Sequence, residues 1–210
     1  MCIGKGISII TNFGCNNSCW YCVWKNHPLS RCKDKTDWRM LEDFLRKGRY
    51  NGRDKVSVSG GGDPLYRYEE NKEWWNRLFA ITRQLRMKID VHTRERLFDN
   101  DFWNKINRCS FSSDMLFEDE DFLHYLCKVV KLRIVHLVTH NASFGLIDAY
   151  LRFQELHQCQ FTIKQLIGHN DGGKYDFMQM QYPHVYSVDA GDYNVYYMPD
   201  NTVRTKFMCQ

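Results

Sequence analysis

Proline is scarce, four in 210 residues, and no stretch is rich in Gly and Ser. Nothing reads as a linker, a repeat or a low-complexity tract, so the chain is read as a single domain over residues 1–210. Long apolar runs are missing too. The first, within "MCIGKGISII", is too short for a signal-peptide core, and no later run would span a bilayer. The expectation is a soluble, cytoplasmic protein with no membrane partner. Net charge is low, at +4, which permits an anionic ligand without demanding nucleic acid. A clear acid–base pair is also absent.

What the sequence does hold is sulfur and aromatic rings. Six of its nine cysteines stand singly, at Cys2, Cys32, Cys109, Cys127, Cys159 and Cys209. A secreted disulfide scaffold would be shorter and more evenly stapled, so a reducing compartment fits, with these thiols acting as small apolar side chains. The other three, Cys15, Cys19 and Cys22, fall within eight residues. That is a ligand spacing, and thiolates suit iron–sulfur clusters and zinc. Structural zinc takes four ligands, often as two separated pairs. No second C-x2-C is present, although His27, five residues on, would complete a Cys3His set. The other reading is a cubane cluster held by three cysteines, with one iron left open.

Apolar periodicity and turn residues give an alternating order of elements. "GISIITNF" reads as a strand that leads into the cysteine loop. "DWRMLEDFLRKG" reads as a helix capped by Asp37 and stopped at Gly48. "KVSVSGGGDPL" is a strand entering a glycine turn, and "EENKEWWNRLFAITRQL" a helix with Trp74, Trp75, Leu78, Ile81 and Leu85 at helical spacing. Strands follow at "KIDVHTRE", "CSFSSD", "LRIVHLVTH" and "FTIKQLIG". Helices separate them at "NDFWNKI", "EDEDFLHYLCKVV" and "FGLIDAYLRFQELHQ". "YNVYYMPDNTVRTKFM" reads as a hairpin turning at Asp200-Asn201. Strands separated by helices run parallel. A complete eight-fold barrel takes about 250 residues, so the fold class expected is α/β: an open, partial (β/α)6 barrel with a C-terminal β-hairpin. The cysteine loop, "SGGGDPL", "HTRE", "SSD" and "GHNDGG" then fall at carboxyl ends of strands, where ligands bind.

The motif C-x3-C-x2-C after a first strand, with Tyr21 before the last cysteine, resembles the radical S-adenosylmethionine (SAM) superfamily. The resemblance implies that Cys15, Cys19 and Cys22 hold a [4Fe–4S] cluster, that SAM chelates the fourth iron, and that Tyr21 lies near the adenine. It also implies a one-electron donor such as a flavodoxin, and cleavage of SAM to a 5′-deoxyadenosyl radical that abstracts a substrate hydrogen. Gly61, Gly62, Asp63 and Pro64 match the family's Gly-Gly-Glu-Pro-like turn, which binds the SAM amino group, with Asp in place of Glu. Thr93, Arg94, Ser112 and Asp114 match positions that offer polar groups to the SAM carboxylate and ribose. The stretch "TNFGC…CWYCVWKNHPL" is similar to phage-type enzymes of thymidine hypermodification. That likeness implies an isomerase acting on an amino-acid-modified thymidine in DNA, in the host cytoplasm if phage-encoded. Two other classes fit the loop: an activase that makes a glycyl radical on a partner, and a zinc-stabilised nucleic-acid-binding protein.

Other features have plainer readings. His136 and His140 share a strand face and read as partly buried strand residues. Trp74 and Trp75 read as core, Cys209 as a spare thiol, and the six tyrosines from Tyr175 to Tyr197 as hairpin packing. From Lys25 to Lys55 there are ten Lys/Arg against five Asp/Glu. Beside a catalytic mouth, that segment would attract phosphate or a nucleic-acid backbone.

Overall fold

The structure, a computed structural model, describes residues 6–17, 19, 22–32, 35–113, 116–138, 143–165 and 195–205. It is mixed α/β, and the chain divides into two compact units. The first comprises Met1–Leu97, Lys105–Asn107 and Gly191–Gln210; the second comprises Phe98–Asn104 and Arg108–Ala190.

In the first unit, strands β1 (Gly6–Thr11), β2 (Lys55–Gly60) and β3 (Lys88–Thr93) pair in parallel, separated by helices α1 (Trp38–Tyr50) and α2 (Lys72–Gln84). Register puts Ser8 beside Ser57 and Ser57 beside Asp90, with Ile9, Val58 and Val91 one step on. Side chains alternate across a strand, so Ile7, Ile9, Val56, Val58, Ile89 and Val91 form one apolar face. All six are buried. The other face carries Ser8, Ser57 and Asp90. Buried Asp90 is satisfied by Asn107, whose Nδ2 donates to Oδ1 at 2.6 Å.

Helix α1 begins as its sequence suggests: Asp37 Oδ1 accepts from the N–H groups of Arg39 and Met40 at 3.0 and 3.1 Å. It does not stop at Gly48 but runs on to Tyr50. Gly48 is there for packing, since a Cβ at that position would sit 2.8 Å from Ile7 Cδ1. The helix ends instead at Asn51-Gly52, where Gly52 takes φ +78°. Helix α2 buries Trp75, Leu78 and Ile81 as expected. Each such fully buried side chain contributes about 1.5–3 kcal/mol. Trp74 is half-buried, packed against Phe13 and Trp38, with Nε1 donating to Thr36 Oγ1 at 2.8 Å.

The C-terminal hairpin forms at the expected turn. Strand β7 (Tyr196–Tyr197) pairs antiparallel with β8 (Val203–Arg204), and Asn201 takes φ +63°. Unexpectedly, β7 also pairs in parallel with β1, Ser8 beside Tyr196. The hairpin therefore occupies the edge of β1 that the helix series leaves open.

In the second unit β4 (Arg108–Ser112), β5 (Leu132–Val138) and β6 (Gln160–Gln165) are parallel, with helices α3 (Asn100–Trp103), α4 (Leu116–Val129) and α5 (Phe144–His157). Phe111, Phe122, Leu126, Ile134, Tyr150 and Phe161 are buried in its core. A polar network is buried with them. Ser113 Oγ donates to Asp119 Oδ2 at 2.5 Å and accepts from the Tyr150 hydroxyl at 2.8 Å. His136 is buried beside it, 3.4 Å from the Ser113 carbonyl, which bears out its reading as a buried strand residue. No helix among the described residues is long and apolar enough to cross a membrane.

Candidate functional site: a cysteine loop locked to a glycine turn

Strand β1 ends at Thr11 and the cysteine loop follows it; β2 ends at Gly60 and the glycine turn follows that. The register of β1 with β2 brings these exits together, Thr11 beside Gly60. The two segments interlock. Gly61 N–H donates to Thr11 O at 2.7 Å, and Asp63 N–H donates to Gly14 O at 2.9 Å. Gly14 and Gly62 take φ +108° and +132°, which L side chains rarely adopt. A Cβ on Gly62 would lie 2.3 Å from Gly14 O, and one on Gly61 2.2 Å from the Trp24 ring. The glycines serve the close approach of turn to loop.

Asn12, just past β1, anchors the far side of the loop. Its Nδ2 donates to the carbonyls of Leu29 (3.3 Å), Ser30 (3.2 Å) and Cys32, and its Oδ1 accepts from Trp24 Nε1 at 3.2 Å. His27 is buried and stacks on Trp24 at 4.4 Å, and its Nδ1 accepts from Leu29 N–H at 3.1 Å. That geometry gives His27 a place in holding the loop's exit.

Asp63 is the hinge of the site. It is 4% exposed, and its carboxylate accepts three hydrogen bonds: Leu65 N–H to Oδ1 at 2.9 Å, Thr93 hydroxyl to Oδ1 at 2.6 Å, and Arg94 N–H to Oδ2 at 2.7 Å. Burial pushes its carboxyl above the usual range, and these donors pull it back. Thr93 is committed as well, because its oxygen also accepts from Glu95 N–H at 2.9 Å. Asp63 and Thr93 thus tie the exit of β2 to the exit of β3. Pro64 is buried, its carbonyl accepting from Trp75 Nε1 at 3.2 Å. Arg94 reaches the loop: its Nη1 lies 3.3 Å from Cys19 Sγ.

The three loop cysteines are free thiols, Cys15 exposed and Cys19 and Cys22 half-buried. Cys15 Sγ faces Asn17 N at 3.3 Å and Asn17 Nδ2 at 3.5 Å. The Cys19 carbonyl accepts from Cys22 N–H at 3.2 Å and from Lys25 Nζ at 2.9 Å, which winds the loop. Among the described residues no group of three or more His, Cys, Asp or Glu side chains is gathered closely enough to hold a metal ion. The donor chemistry nonetheless fits a thiolate-held cluster, since metal binding itself deprotonates and organises such ligands. Two orphaned polar atoms border the loop. The hydroxyl of Thr11, fully buried, and Oε1 of Glu95 have no hydrogen-bond partner among the described residues. Burial, together with the Asp63 charge, raises the Glu95 carboxyl above its ordinary value, while a hydrogen bond from Asn16 lowers it.

Sequence reading missed Asn12 and Glu95. Asn12 carried a faint signal as a polar residue ending an apolar strand, and Glu95 stood inside "HTRE" unremarked. Ser112 ends β4, half-buried, in the second unit. Tyr21, Asp114, His140, Cys209, "GHNDGG" and the tyrosines before Tyr196 lie outside the described residues.

The basic segment divides. Arg31 and Lys25 flank the cysteine loop, but Lys47 to Arg53 follow the part of α1 that packs on Ile7. Ile7 is near the start of β1, so these residues lie about 13 Å along the strand from the loop, at its other end. Lys47 is spent on α1 itself, in the pair Lys47–Asp43 (2.7 Å), as is Arg46 just before it, in the pair Arg46–Glu42 (2.6 Å).

No family model matches the sequence, and no curated protein matches it. Among solved structures the chain is similar to BtrN in complex with AdoMet and 2-DOIA. Identity is 15% and the TM-score 0.43, over 97% of this chain and 73% of that one.

Proposed function

We propose that this chain is a radical SAM enzyme, one domain over residues 1–210 forming an open partial (β/α)6 barrel. In this reading Cys15, Cys19 and Cys22 hold a [4Fe–4S] cluster at the end of β1. The observation that carries it is the interlock of a loop bearing three free thiols with the Gly61–Pro64 turn, bordered by unpartnered Thr11 and Glu95 oxygens. When bound, the cluster and SAM supply one-electron cleavage of the sulfonium to a 5′-deoxyadenosyl radical, which takes hydrogen from a substrate C–H bond.

The chain's own residues position this chemistry. The Arg94 guanidinium, 3.3 Å from Cys19 Sγ, is placed to hydrogen-bond that sulfur. The donors of Asn17 face Cys15 Sγ in the same way, although burial holds the Cys15 thiol above its ordinary value. Asp63 already accepts from Leu65, Thr93 and Arg94, so its part is to fix the turn and aim Arg94. Among the described residues, a carboxylate oxygen left for a cationic group, such as the amino group of SAM, is Glu95 Oε1. Tyr21, Ser112 and Asp114 are assigned to the adenine and ribose, and an external donor such as a flavodoxin to the electron.

The reaction proposed is isomerisation of an amino-acid-modified thymidine in DNA. The stretch "TNFGCNNSCWYCVWKNHPL" supports it, as do the cations Lys25 and Arg31 that follow its three cysteines. Anaerobically reconstituted protein is to be incubated with SAM, a reductant and amino-acid-modified DNA. The expected result is 5′-deoxyadenosine, and a nucleoside product of unchanged mass but altered chromatographic retention. Deoxyadenosine with no change in any nucleoside would reject the substrate. Absence of deoxyadenosine under any condition would reject the class.

A further inference from the structure

In the first unit, cations gather at the end of the sheet opposite the cysteine loop. Arg49, Arg53, Lys55, Arg83, Arg86 and Lys88 sit on or beside two connections, from α1 to β2 and from α2 to β3. The fold sets these connections side by side. Lys55 and Lys88 are register partners at the starts of β2 and β3, and Lys88 N–H donates to the Asp54 carbonyl at 2.8 Å. Neighbouring strands are about 4.8 Å apart, so the two lysine stems start that close together on one face of the sheet. Arg49 Nε donates to the Leu85 carbonyl at 3.2 Å, which joins the end of α1 to the end of α2. Arg53 N–H returns to the Gly48 carbonyl at 3.0 Å, and Arg86 N–H to that of Arg83 at 3.1 Å. Between the helix ends lies a concavity of about 620 Å³, lined by Arg46, Lys47, Arg49, Tyr50, Asn51 and Leu85.

The protein does not consume these charges. Among the described residues, none of Arg49, Arg53, Lys55, Arg83, Arg86 and Lys88 pairs with a carboxylate, unlike Arg46 and Lys47. Arg53 Nε is buried with no hydrogen-bond partner among them. Arg86 takes φ +52°, a left-handed conformation that favours glycine, and displays an exposed cation there. Tyr50, 92% exposed, stands on the same rim. We propose that this surface docks the phosphate backbone of a nucleic acid. Arginine, the commoner cation here, offers phosphate a planar, two-pronged set of donors. The Tyr50 hydroxyl suits a phosphate oxygen and its ring an unstacked base. A lipid surface fits less well, because the aliphatic side chains between the cations are withdrawn, Leu85 half-buried and Met87 buried. From Lys55 to Gly60 the strand β2 runs about 16 Å, so the backbone docked here is not the nucleotide at the cysteine loop. The proposal does not rest on the reaction above, because it concerns unmodified backbone.

The test uses the full chain as purified, with fluorescein-labelled unmodified DNA as a short duplex and as a single strand, read by anisotropy across a salt series. Binding of one or both with a Kd of about 1–100 μM near physiological salt is expected, weakening steeply as salt rises. The main variant is Arg86→Gly with Lys88→Gln. Glycine relieves the left-handed backbone, so the urea midpoint is expected to match or exceed that of wild type. Affinity should fall at least about tenfold at low salt, with a salt slope smaller by about two. Lys72→Gln with Lys128→Gln removes as much charge elsewhere and should change affinity less than about twofold. No binding of either DNA at about 100 μM protein, or equal losses in the two variants, would overturn the proposal. So would tighter binding to phosphatidylserine vesicles or to polyglutamate than to DNA at equal negative charge. Neither SAM nor a modified nucleoside is present, so the outcome is read separately from deoxyadenosine formation.

Discussion

Replacing Asp63 with Ala separates a turn-fixing carboxylate from a ligand-binding one. In the wild type three donors converge on it: Leu65 N–H, Thr93 hydroxyl and Arg94 N–H, at 2.6–2.9 Å. A hydrogen bond to a charged group contributes about 1.5–3 kcal/mol, so the three sum to roughly 5–9 kcal/mol gross. Two terms offset this. Burying the carboxylate costs several kcal/mol, which alanine recovers, and water can reach the half-buried Arg94 amide. A net loss of about 3 kcal/mol is expected, a large share of the roughly 5–15 kcal/mol typical of a domain. Urea unfolding of the apo protein, followed by tryptophan fluorescence, measures it. A variant that unfolds within about 0.5 kcal/mol of wild type while its SAM affinity collapses would refute the account, because Asp63 would then face the ligand and not the turn.

Glu95→Gln should do the opposite to stability. Burial raises the Glu95 carboxyl, so between the unfolded and folded pKa the native state binds more protons. Stability from this group is full below the unfolded value and falls as pH rises through the folded one. The Gln variant is therefore expected to be more stable than wild type at neutral pH, with a flatter pH profile, and to bind SAM more weakly by equilibrium dialysis; unchanged affinity would remove Glu95 from the site. Gly62→Ala places a Cβ 2.3 Å from Gly14 O at φ +132° and should cost at least about 2 kcal/mol in urea unfolding. Gly48→Ala should cost about 1 kcal/mol despite alanine's helix preference, because of Ile7; pairing it with Ile7→Val should restore stability, and additivity of the two losses would contradict the packing role.

The alternation of strands and helices was legible because apolar periodicity and caps are local. Asp37 capped its helix and Asp200-Asn201 turned the hairpin where the sequence suggested. Gly48 was misread as a stop because its reason, the Ile7 side chain, lies on another element. The parallel pairing of β7 with β1 left no pattern in a strand of two residues. At the site, the cysteine spacing and the glycine turn were visible, and the register of β1 with β2 brings their segments together. The role of Asp63 was not, since two of its three partners, Thr93 and Arg94, are thirty or more residues away. Ser113 was passed over for its neighbours Ser112 and Asp114 because burial, not polarity, marks it out.

The most direct test is iron and sulfide content after anaerobic reconstitution, in wild type and in Cys15→Ala, Cys19→Ala, Cys22→Ala and Cys32→Ala. About four irons and four sulfides per chain are expected in wild type and in Cys32→Ala, with a cubane signal on reduction, and none in the other three. One zinc and no sulfide in wild type, or a full cluster in any of those three variants, would contradict the account.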